Sequence, residues 1–117
     1  MNKNEGNFRR GAVELLILYL LSKRDYYGYE ISLILKKESN GVLDIPVGSL
    51  YPSLYKLIDA GYISDYQKKT GRRQIRVYYH LEESGKERLQ ILTASYKETS
   101  EAIYKVLNYE PNEEGVD

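Results

Sequence analysis

Three features of the sequence predict a mostly helical α+β domain. The first is a short helix marked by Leu50, Leu54, Leu57 and Ile58 on one face. The second is a pair of alternating segments, 63–68 and 74–81, joined by the basic turn Lys68-Lys69-Thr70-Gly71-Arg72-Arg73. The third is a long amphipathic stretch from about Glu83 to Leu107. A helix, a basic hairpin and a long trailing helix, in that order, are the layout of a winged helix-turn-helix. Helix and hairpin tip then form one surface suited to a DNA groove and its flanking phosphates.

The first helix is expected over residues 10–22. Val13, Leu15, Leu16, Ile17, Leu18, Leu20 and Leu21 make it apolar on nearly every side, so it must be buried on more than one face. Tyr27-Gly28-Tyr29 opens a second helix that continues to about Glu38, with Ile31, Ile34 and Leu35 facing inward. Asn40-Gly41 stops it, because both residues tolerate the left-handed conformation. The third helix ends before Gly61, leaving Ser49, Tyr51, Ser53, Tyr55, Lys56 and Asp59 on its less buried side. Its start has two solutions. A helix from Pro46 places Pro52 in the interior, where a hydrogen bond is lost, whereas Ser49 as N-cap places Pro52 harmlessly in the first turn.

In the second strand, Ile75, Val77, Tyr79 and Leu81 alternate with Arg76, Tyr78 and His80, the mark of a half-buried hairpin. Glu82, Glu83 and Glu87 suit the positive end of the last helix. Residues 1–81 therefore read as the winged-helix unit and 82–107 as the C-terminal helix. Residues 108–117 form an acidic tail containing Pro111 and Gly115, which is expected to be disordered.

At 117 residues the chain holds one domain, and 42% hydrophobic with 29% charged residues describes a folded protein. It has no cysteine, which excludes disulfides and thiol catalysis and fits a reducing cytoplasm. The longest apolar run, residues 15–21, is far short of the roughly 20 residues of a membrane span. The basic N-terminal flank is not followed by a small-residue cleavage site, so a cytoplasmic location and no membrane partner are expected. Net charge is zero, yet residues 1–81 carry 13 Lys and Arg against 8 Asp and Glu. Residues 82–117 carry 4 against 9. A basic working face and a separate acidic element follow.

Catalytic chemistry finds no support. His80 is the single histidine and has no clustered partners for a metal. Glu82-Glu83 are helix neighbours that do not face each other, and Ser49 reads as a cap rather than a nucleophile. No metal site and no cofactor is expected. The hairpin supplies four cations, Lys68, Lys69, Arg72 and Arg73, at the tip of a projecting element. That arrangement favours phosphate contact over a merely solvated turn.

From about residue 8 to 107 the chain also resembles the PadR-type transcriptional regulators. The resemblance rests on Arg10-Gly11, Tyr27-Gly28-Tyr29-Glu30, Gly48-Ser49-Leu50-Tyr51-Pro52, Asp59-Ala60-Gly61-Tyr62-Ile63, Gly71-Arg72-Arg73 and Tyr78-Tyr79-His80-Leu81, in that order and spacing. It implies a homodimeric repressor whose third helices enter successive major grooves of a double-stranded DNA operator, with the wings on flanking backbone. By position it places Tyr29, Ser49, Tyr51, Pro52, Tyr55 and Lys56 at the DNA. Two residues depart from the pattern: Tyr27 stands where many members have histidine, and Glu82 where a threonine commonly caps the last helix.

Independently, Leu89, Leu92, Tyr96, Thr99, Ile103 and Val106 follow 3-4-3-4-3 spacing, a coiled-coil-like seam weakened at Thr99. A rod of roughly 36 Å is too long for one small head to cover, so the stripe is expected to meet a second copy rather than fold back on the first helix. Short members of the family imply one further partner, a planar aromatic small molecule at the dimer centre. Tyr96, with Phe8 and Leu18 nearby, would stack it; the alternative is that Tyr96 simply packs across the seam. Tyr19, Tyr26, Tyr62, Tyr66 and Tyr104 are expected only to pack half-buried. Two rivals to the inducible repressor are a protein-docking winged helix and a DNA-binding protein that takes no ligand.

Overall fold

The computed structural model describes residues 3–112, with side chains from Gly11 onward. In chain order the elements are α1 (Lys3–Lys23), β1 (Tyr26–Tyr27), α2 (Gly28–Glu38), α3 (Val47–Asp59), β2 (Ile63–Thr70), β3 (Gln74–Leu81) and α4 (Glu83–Leu107). The helices of the predicted fold are all present, and α1 starts earlier than residue 10. The Phe8 side chain and the tail beyond residue 112 lie outside the described residues.

The all-round apolarity of α1 has a direct cause: the helix packs on α2, α3, β3 and α4 at once. Ile17 and Leu18 are wholly enclosed, together with Ile31 of α2, Leu50 and Leu54 of α3 and Ile63 of β2. Each such side chain contributes about 1.5–3 kcal/mol by leaving water. Val13, Leu21, Leu35, Leu57, Tyr79 and Leu81 complete the core. Ser53, expected on the less buried side of α3, is buried among them.

Of the two possible starts for α3, the longer one holds. Pro46 is the N-cap residue, and its carbonyl accepts from the Ser49 and Leu50 N–H groups at 2.8 and 3.3 Å. Ser49 is therefore not the cap but an exposed residue of the first turn. Pro52 lies inside the helix on its exposed side, where solvent replaces the bond that Gly48 loses. At the other end, Gly61 takes φ +80°, so that Gly61 N–H reaches the Ile58 carbonyl and Tyr62 N–H the Leu57 carbonyl. This paired closure needs a left-handed residue, which glycine supplies without steric cost.

The sheet is antiparallel with strand order β1-β3-β2. Strand β1 is a departure from the expected pattern, since Tyr26 and Tyr27 read as the mouth of the second helix. Two residues carry no periodicity; only the pairings Tyr26↔Tyr79 and Tyr27↔Tyr78 reveal the strand. β2 and β3 pair from Ile63↔Leu81 out to Thr70↔Gln74, and Gly71 at φ +80° turns the chain. The half-buried pattern expected of β3 holds only near its base. Tyr79 and Leu81 are buried, whereas Ile75 and Val77 are 62% and 38% exposed, because the outer hairpin projects beyond the core.

α4 is fastened to the base of that hairpin. Glu82 N–H bonds to the Tyr62 carbonyl at 3.0 Å, and Ser84 Oγ donates to the Gly61 carbonyl at 2.7 Å. Glu82 does not cap the helix with its side chain; its carboxylate instead accepts from Ser64 Oγ at 2.6 Å. Gly85 is buried, and a Cβ there would run into the Tyr62 carbonyl and the Leu81 side chain. Leu89 and Leu92 still pack against the core. Beyond them the helix leaves the head, and the molecule extends 73 × 30 × 22 Å.

Candidate nucleic-acid interface

The outer face of α3 is aromatic. Tyr51 and Tyr55, four residues apart, stack with ring centroids 5.9 Å apart and planes inclined by 14°. Pro52 and Ser49 are exposed on the same helix, and Tyr29 projects from the first turn of α2. Buried Gly28 lets that turn come close, since a Cβ there would sit 3.0 Å from Val47. Lys56 is not the free outward lysine the sequence implied. Its Nζ lies 3.2 Å from Glu14 Oε1 of α1, an oxygen enclosed without a well-aligned hydrogen bond. The lysine head itself stays largely exposed, so the charge pair ties α3 to α1 without hiding the cation.

The wing stands beside this face. Lys69, Arg72 and Arg73 are exposed at the tip, while Lys68 sits back over the Tyr78 ring at 5.3 Å. Between α3 and the wing runs a cleft of about 400 Å³, lined among others by Tyr29, Tyr51, Tyr55, Ile75, Arg76 and Val77. Tyr79 lies beneath it. Burial, with smaller contributions from Tyr51, Tyr55 and Asp65, pushes its hydroxyl up to about 12, so it stays neutral.

Sequence reasoning missed a polar knot at the wing base. Asp25 accepts from Tyr66 Oη at 2.7 Å and lies 2.9 Å from His80 Nδ1. Burial alone would raise the Asp25 carboxyl. The Tyr66 and His80 hydrogen bonds, with the charges of His80 and Lys68, outweigh it and hold the group below the ordinary carboxylate value. The residues stand 41 and 55 positions from Asp25, and only the strand register brings them together. Tyr66, like Tyr19 and Tyr104, is exposed rather than half-buried, whereas Tyr26 and Tyr62 pack as expected.

The stripe on α4 divides in two. Leu89 and Leu92 are half-buried against their own head, but Tyr96, Ile103 and Val106 are 40%, 42% and 73% exposed. Leu18, expected beside Tyr96 at a ligand, is instead wholly enclosed in the core and offers no surface. Among the described residues no group of three or more His, Cys, Asp or Glu is placed to hold a metal, and no helix is long and apolar enough to cross a membrane.

A three-helix head carrying a β-hairpin wing, with exposed side chains on its third helix and cations at the wing tip, defines the winged-helix class of DNA-binding proteins. The family model for the "Transcriptional regulator PadR-like family" matches residues 17–91. A transcriptional regulator from Clostridium thermocellum superposes with a TM-score of 0.78 at 29% identity, over 85% of this chain and 96% of that one. A PadR-like transcriptional regulator from Bacillus cereus gives 0.73 at 31% identity, over 86% and 95%. Bacillus subtilis PadR, solved in complex with operator DNA, gives 0.62 at 26% identity, over 91% of this chain and 52% of that one. The chain belongs to the PadR-like family, whose members are transcription regulators and not enzymes.

Proposed function

We propose that the protein is a homodimeric repressor that binds a double-stranded operator and is released by a planar aromatic small molecule. The observation that carries this reading is the adjacency of the exposed Tyr51–Tyr55 face to the wing strands, on a head whose α4 leaves an apolar stripe uncovered. α3 reads the major groove, with Ser49, Tyr51, Pro52 and Tyr55 at base edges and sugars. Lys56, Lys68, Lys69, Arg72 and Arg73 meet phosphates, and Tyr29 stands at the groove margin. The relative from Bacillus subtilis, bound to operator DNA, supports the partner class. Tyr96, Ile103 and Val106, continued by Leu89 and Leu92, form the seam between two copies. Tyr96 from each copy is the stacking surface for the small molecule; enclosed Leu18 is not part of it.

Salt titration of DNA binding tests this reading. Replacing Arg72 and Arg73 with alanine weakens operator and random duplex alike, and lowers the slope of log affinity against log salt by about 0.9 for each phosphate that is no longer met. An unchanged slope removes the wing from the interface. For the ligand, the chain has no tryptophan, so Tyr96→Trp adds a single reporter. Planar dyes should quench it and release DNA from the parent protein; dyes that leave both signals untouched refute the inducer.

A further inference from the structure

Away from the wing tip, the solvent face of the sheet carries an ordered array. Tyr27, Tyr78 and Tyr66 occupy directly paired positions on β1, β3 and β2, and so form one row across all three strands. Tyr66 and Tyr78 stack at 5.8 Å, while Tyr27 meets Tyr78 edge-on at 5.5 Å. In the next row outward, Lys68 and Arg76 are directly paired across β2 and β3. Like charges at facing positions repel, so this pair opposes hairpin formation unless something lies between them.

Both cations are nonetheless held in place. The Arg76 guanidinium carbon sits 4.4 Å from the Tyr27 ring centroid, and Lys68 Nζ sits 5.3 Å from that of Tyr78. Such contacts fix the direction of a cation without neutralising it. Among the described residues neither cation has a carboxylate at ion-pair distance. Asp25 feels the charge of Lys68, but its two oxygens are taken by Tyr66 and His80. Arg76 donates one long side-chain hydrogen bond, 3.5 Å to Gln74 Oε1, and is among the residues lining the cleft between α3 and the wing. Asp65 on the cleft wall is not paired with it.

We infer that Arg76, aimed by Tyr27 at the margin of the cleft, seats a backbone phosphate of the DNA strand that passes between α3 and the wing. The occupant is an anion because an oriented cation with no carboxylate at ion-pair distance favours one. It is a phosphodiester because the cleft opens beside the exposed tyrosines of α3. Arginine suits the role, since its planar fork matches phosphate oxygens in a way a lysine does not. The inference rests on the DNA-binding reading above and adds Arg76 and Tyr27 to it as positioning elements away from the wing tip.

Random-sequence duplex is the probe, because phosphate contacts operate without an operator. With Arg76→Ala, the fall in affinity between 50 and 200 mM salt should shrink by about 3.5-fold relative to the parent, the share of one phosphate. Arg76→Lys should restore the slope while binding more weakly than the parent. Tyr27→Leu should lower affinity with the slope retained, since the charge remains but loses its platform. Thermal melts of each variant guard against a collapsed wing, and the recovery of the slope by lysine is a readout that a structural role would not give. A parent that binds duplex while Arg76→Ala keeps the parental slope overturns this inference alone. A parent that fails to bind duplex at low salt overturns the DNA-binding reading, and this one with it.

Discussion

The head and the outer half of α4 are both supplied with large apolar side chains, and they dispose of them in opposite ways. In the head, Ile17, Leu18, Ile31, Leu50, Leu54 and Ile63 have no exposure at all or nearly none. From Thr93 onward, Ile103, Tyr104, Val106 and Leu107 remain 42–73% exposed on a helix that has left the core behind. The head satisfies its sequence by folding. The outer part of α4, a helix of 25 residues overall, is held by its own backbone bonds, and in the proposed dimer a second copy would cover its side chains. Core substitutions should therefore cost the same at any protein concentration, while substitutions on the outer helix should matter through concentration.

The contrast breaks most visibly in the core. Leu54→Ala removes a wholly enclosed side chain and should cost about 2–5 kcal/mol, read from denaturant melts as a difference from the parent that is the same at every protein concentration. Ile103→Glu tests the opposite region. The head of that variant should keep its stability within about 0.5 kcal/mol, while sedimentation finds monomers and operator binding fails. An intact dimer would place the seam elsewhere.

Two smaller effects sharpen the comparison at the joint and in the wing. Gly85→Ala forces a methyl group against the Tyr62 carbonyl, and should cost about 1–3 kcal/mol in thermal or denaturant melts. Asp25→Asn should give the smallest change. A carboxyl held below its ordinary value of 3.8 contributes stability that is complete above that value and fades as pH falls through the lower folded one. The difference in denaturant midpoint between parent and Asp25→Asn should thus be present at neutral pH and close in acid. A difference that persists unchanged at about pH 2 would show that the carboxylate charge is not its source.

What the sequence disclosed follows from the range of the interactions concerned. α4 is legible to the residue because its periodicity and flanking turns are local, and so is the turn at Gly71. Pro52 left the start of α3 open, since a proline is tolerated both in a first turn and on an exposed helix side. β1, the Asp25–Tyr66–His80 knot and the Glu14–Lys56 pair were illegible for a common reason. Each joins residues from separate elements, and each depends on register or helix packing. Arg76 was within reach: a hairpin closed at residues 71–73 places it opposite Lys68, and counting back from the turn would have exposed the facing charges. Leu18 went astray because an apolar residue on a helix apolar all round has no sequence mark to say which face meets solvent.

The buried glycine at the foot of α4 also bears on mechanics. With no side chain at Gly85 and hydrogen bonds from Glu82 and Ser84 to the two residues that close α3, the junction is a weld rather than a hinge. A stiff arm of about 37 Å leaves that weld, and a tilt of about 5° at its far end carries the head sideways by about 3 Å. That is about half the width of a minor groove. Small angular changes at either end of the arm are thus geared into displacements on the scale at which a duplex is read.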